Sequence, residues 1–147
     1  MDTDFEKARQ LVEATIRKLG VEPTACRAHG SETQEAWTLK RGSASVLVTV
    51  TYHEDEKRTY LRAAALVLNL PSNVNNHGPL FRRLLELNAA GLANAAFGLA
   101  GDRVVVVSER PAEGLGPEEV EQTIRHLSAV ADTFDDRLEK EFGATKA

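Results

Sequence analysis

A chain of 147 residues and 16.1 kDa suits one folded domain rather than two, and 42% hydrophobic with 27% charged residues is ordinary for a globular protein. Acids outnumber bases 22 to 18, a formal net charge of −4, which argues against nucleic acid as the main partner because such binders carry a basic face. No run approaches the roughly 20 apolar residues of a membrane span, and the opening residues hold no apolar signal region, so no membrane partner and a cytoplasmic location are expected. The single cysteine, Cys26, can form neither an internal disulfide nor a cysteine zinc site.

Phe5, Ala8, Val12, Ile16 and Leu19 recur at spacings of three and four, which predicts an amphipathic helix over Asp4–Leu19 that Gly20 and Pro23 stop. Thr24–His29 and Glu35–Lys40 read as short strands on either side of a polar stretch. Ala44–Tyr52 alternates Val46, Val48, Val50 and Tyr52 with Leu47, Thr49 and Thr51, and a charged turn joins it to a further strand, Arg58–Asn69. Both faces of that strand are apolar near Ala63–Leu68, so it is expected at the centre of a sheet with helices over it.

After an asparagine-rich loop, Pro79 opens a helix running to about Gly91. Leu80, Phe81, Leu84, Leu85 and Leu87 make it apolar around more than half its circumference, so burial on more than one side is expected. A hairpin follows, Ala95–Ala100 and Arg103–Glu109 about a Gly101-Asp102 turn. Val120, Ile124, Leu127, Ala131, Phe134 and Leu138 then mark a long closing helix that Gly143 ends, with 144–147 expected to fray. Hairpin-linked strands with helices between the groups give an α+β fold: an antiparallel sheet of five to six strands flanked by three helices, in one domain over 1–147.

Chemistry is sparse. Glycine-rich phosphate loops, paired-histidine helices and serine nucleophile elbows are absent, and Gly98-Leu99-Ala100-Gly101 suits a hairpin better than a phosphate cradle. Cys26 and His29 would point to opposite faces of a strand, which separates them as metal ligands. His53 and His77 lie in loops, with no nucleophile or orienting carboxylate at an interpretable spacing. His126 is expected to border the closing helix's packed stripe, and Trp37 to anchor the core or a sheet face. No catalytic, metal or cofactor residues are assigned. From 112 to 143 nine acids face three bases, a strongly acidic helix surface that reads first as a solvated face.

Leu84-Leu85-Glu86-Leu87-Asn88, Ala96-Phe97-Gly98-Leu99, the valine strand, Pro111–Gly116 and Ala131-Asp132-Thr133-Phe134 together resemble the YbjN-type domain. That domain is similar in fold to the class I chaperones of type III secretion. The resemblance implies a homodimer that binds extended segments of a protein client without enzymatic chemistry. The surplus of apolar surface on the Pro79 helix makes Leu80, Phe81, Leu84 and Leu87 the expected partner or dimer contacts. The alternative is a sensory or regulatory domain that binds a small ligand between helix and sheet.

Overall fold

Apolar residues three and four apart must share one helix face and those two apart one strand face, and the observed elements follow that rule. The computed structural model describes residues 3–146; Met1, Asp2 and Ala147, which the expected domain includes, lie outside them. In chain order the elements are α1 (Thr3–Lys18), α2 (Pro23–Cys26), β1 (Arg27–Gly30), β2 (Gln34–Arg41), β3 (Ala44–His53) and β4 (Arg58–Asn69). A single 3-10 turn at Val74–Asn76 leads to α3 (His77–Ala90), then β5 (Ala96–Ala100), β6 (Arg103–Pro111), α4 (Pro117–Phe142) and β7 (Thr145–Lys146).

The strands form one antiparallel sheet in the order β1-β2-β3-β4-β6-β5, with β7 added beside the end of β4. The α+β class holds, with seven described strands where five or six were expected and a fourth, four-residue helix. That helix replaces the first half of the expected Thr24–His29 strand, because Pro23 at its first turn fixes a helical φ. At Gly101, φ is +60°, which the tight β5–β6 turn requires and a glycine adopts without a Cβ clash.

The register lines residues into rows across the sheet. Leu39, Val46, Ala65, Val106 and Phe97 form one row on the same face. All are buried, and they join Phe5, Val12 and Ile16 of α1, Leu80 and Leu84 of α3, and Ile124, Leu127 and Leu138 of α4 in one core. Trp37 is also buried there, as expected. The adjacent row, Thr38, Leu47, Ala64, Val107 and Ala96, lies on the opposite face and takes no part in that core. The expectation that helices cover β4 is therefore met on one face and corrected on the other. Apolar residues on both faces of a strand signal burial only if something covers each face.

Polar contacts fasten the layers. Ser43 Oγ donates to Asp132 at 2.5 Å, joining the β2–β3 turn to α4. The expected fraying at 144–147 does not occur at 144–146. The left-handed Gly143 turns the chain back, Ala144 is buried, and Thr145–Lys146 pair with Leu68 and Asn69. Asn69 Nδ2 bonds Thr145 Oγ1 and the Lys146 carbonyl, and Lys146 Nζ lies 2.7 Å from Asp136.

Leu127→Ala is expected to cost about 2–5 kcal/mol in urea denaturation, the range for emptying a fully buried leucine site. The Lys146 ammonium holds the Asp136 carboxyl below its ordinary range, so this tie is present at neutral pH and lost as pH falls through that lowered value. Amide exchange at Thr145 and Lys146, corrected for intrinsic rates, is therefore expected to accelerate on acidification and to lose that response in Asp136→Asn.

Candidate peptide-binding surface

The uncovered face of the sheet is a continuous surface. Its centre is apolar, made of Leu47, Ala64, Leu66, Val107 and Ala96 about a buried Val105, and none of these belongs to the core cluster. Leu47 is 38% exposed, with Ala64, Leu66, Val107 and Ala96 half-buried. Small residues at Ala64, Ala96 and Gly98 keep the surface shallow, and a Cβ at Gly98 would meet nothing within 4 Å. A polar margin runs alongside: Arg62 lies 3.9 Å from Glu109, and Gln34 Nε2 donates to Thr51 at 3.1 Å.

The β5 border is partly closed to further strand pairing. The Phe97 N–H donates to Asn88 Oδ1 at 2.8 Å, and Asn88 Nδ2 donates to the Phe97 carbonyl at 3.2 Å. The side-chain amide thus imitates a neighbouring strand at that position, a protection that exposed edges need.

The four residues expected to contact a partner fall in two places. Leu80 and Leu84 are 0% and 4% exposed and belong to the core, so contrary to expectation their side chains offer no contact surface. Phe81 and Leu87 are half-buried against it. α3 is buried along one side instead of the two expected. Spacing carries the reason: Leu80, Leu84 and Leu87 form one stripe, and Phe81, Leu85 and Asn88 form the next. Leu85, which is not among the four expected contacts, is 68% exposed, and Leu99 on β5 is 50% exposed. Asn88 carries the outer stripe to the border of β5.

Cys26 and three of the histidines are engaged in structural contacts. Burial pushes the Cys26 thiol pKa up, and its Sγ lies 3.5 Å from the Pro23 carbonyl. His77 Nε2 lies 2.7 Å from the Pro71 carbonyl, His126 Nε2 contacts the Leu92 carbonyl, and His53 packs edge-on against Tyr60. A groove of about 1090 Å3 lies between the end of α3, β6 and α4, and there Arg110 pairs with Glu119. Among the described residues no group of three or more His, Cys, Asp or Glu is placed to hold a metal ion. No described helix is long and apolar enough to cross a membrane.

The arrangement is a helix-backed antiparallel sheet with one bare apolar face, the fold of the type III secretion chaperones. A solved ExsC–ExsE complex is similar over 94% of this chain and 97% of that one, with a TM-score of 0.67 at 20% identity. The HopA1–SchA chaperone–effector complex gives 0.58 at 15% identity over 92% and 98%. The Yersinia pestis type III secretion chaperone SycH, solved with a fragment of YscM2, gives 0.54 at 16% identity over 84% and 96%. The family model described as T3SS (YopN, CesT) and YbjN peptide-binding chaperone 1 matches residues 6–147, and the chain belongs to this family. No curated protein matches it significantly.

Asn88→Ala strands the outward N–H and C=O of Phe97. We expect a loss of about 1–2 kcal/mol in denaturant unfolding, with faster exchange of the Phe97 amide.

Proposed function

We propose that this protein is a non-enzymatic chaperone or adaptor that holds an extended segment of a partner protein against its bare sheet face and works as a homodimer. The observation that carries the reading is the row Leu47, Ala64, Val107 and Ala96, left outside the core on a sheet whose other face is sealed by helices. A folded chain gains by burying apolar area, and a contiguous patch at the centre of a sheet, rimmed by polar groups, is the pattern of a protein-binding site. Membership of a peptide-binding chaperone family supports the same reading. The engagement of His53, His77, His126 and Cys26 in structural contacts favours binding over catalysis.

Self-association is assigned to the second patch. Leu85 on α3 and Leu99 on β5 are exposed, Phe81 on α3 is half-buried, and none of the three belongs to the row that makes the bare face. Two copies related by a twofold axis would bury the same leucines on both sides.

Reduced, carboxymethylated α-lactalbumin, a permanently unfolded chain, is the probe. Leu66→Glu is expected to weaken its binding at least about tenfold in fluorescence anisotropy, because a charge replaces apolar contact area. Its far-ultraviolet circular dichroism is expected to match the parent protein. Unchanged binding by a folded Leu66→Glu variant contradicts the reading. Leu85→Glu is expected to convert the dimer to monomer in light scattering, and a parent protein that is monomeric at micromolar concentrations removes the homodimer.

A further inference from the structure

β5 stops short of the full length of β6. Their pairing ends at Ala96 opposite Val107, while β6 continues through Ser108, Glu109 and Arg110 to Pro111, paired with β4 alone. The Ala112 N–H donates to the Thr59 carbonyl of β4, so by strand alternation Arg110 and Ser108 also turn their backbone groups toward β4. The N–H and C=O of Glu109 then point the other way, along the line that β5 leaves vacant.

The vacancy has defined ends. Ala96 closes one; at the other Pro111 has no N–H, and Arg110 Nε donates to its carbonyl at 3.0 Å. The chain that could have continued β5 is bent aside. Gly91, Ala93 and Asn94 all have positive φ, +102°, +52° and +61°, and the Leu92 carbonyl is held by His126 of α4. Left-handed conformation at an alanine is costly and persists only where surrounding contacts hold it. The result is the groove of about 1090 Å3 whose floor is the free border of β6 and whose wall is α4.

We infer that this gap is a strand-addition site for a short extended segment of a partner protein that carries lysine or arginine opposite Glu109. The inference rests on the peptide-binding reading above and names one feature of the segment. Residues directly opposite on neighbouring strands share a face, so the side chain facing Glu109 extends the cross-strand row of Arg62 and Glu109. A cation there alternates positive, negative, positive along that row; an anion meets Glu109 directly. Glu119, the other acid in the groove, is already paired with Arg110. One backbone register offers one pair of hydrogen bonds, so the site selects a segment that the bare sheet face also holds.

Two probes separate the possibilities: Ac-Ala-Val-Lys-Val-Ala-NH2 and the same pentapeptide with glutamate in place of lysine, titrated into the intact protein by amide NMR. The lysine peptide is expected to shift the Glu109, Gln122 and His126 amides and to bind about fivefold tighter than the glutamate peptide. Glu109→Lys is expected to reverse that order, and Glu109→Gln, the milder change, to level it. Equal affinities for the two peptides in the parent protein, or shifts confined to Leu47 and Leu66, overturn the site. Binding of unfolded α-lactalbumin that survives such a result leaves the peptide-binding reading standing, whereas loss of all polypeptide binding removes both.

Discussion

The structure depends on one inequality: the sheet has two apolar faces and the helices cover only one. β4 carries Leu61, Ala63 and Ala65 toward α1 and α4, and Ala64 and Leu66 away from them. The first set is buried by the chain's own helices and supplies the cohesion of the fold. The second gains little from folding, because small side chains and neighbouring strands hide only part of it. A sheet of this kind can bury more apolar surface only by taking a partner, which ties stability on one side to binding on the other.

Charge and edges are arranged around that surface. The acids of α4 lie on the helix side, where Glu121 meets Lys18 and Arg125, Asp132 meets Ser43 and Asp136 meets Lys146. Several of them therefore fasten helix, hairpin and tail, a more specific role than a solvated face alone. Asn88 closes β5, Pro111 ends the open border of β6, and the β7 segment occupies the end of β4. Such closures limit uncontrolled strand pairing, which matters for a protein with exposed apolar area.

Periodicity made most of the fold legible. The α1 stripe, the Ala44–Tyr52 and Arg58–Asn69 hairpin, the valine strand and the closing helix stand close to where spacing put them, because each is long enough to show its period. What escaped was short or contextual. A four-residue helix at Pro23–Cys26 and a two-residue strand at Thr145–Lys146 have no period to read. The bare face is only partly legible: Ala63–Leu68 shows the two-sided character of β4, yet no pattern within a strand says whether a helix will arrive on each side. On α3 the stripes were readable in principle, since Leu80, Leu84 and Leu87 align and Leu85 falls outside them. The apolar circumference of α3 shows that there is surplus area, but only the stripes show that Leu80 and Leu84 belong to the buried side.

Methyl NMR of the protein in a soluble paramagnetic agent, with and without unfolded α-lactalbumin, tests the central claim most directly. The account expects the methyls of Leu47, Leu66 and Val107 to be broadened by the agent in the free protein and shielded once the unfolded chain is bound, while those of Val46 and Leu127 stay sharp throughout. Bare-face methyls that remain equally broadened in the bound state, with the unfolded chain shielding some other surface, would contradict it.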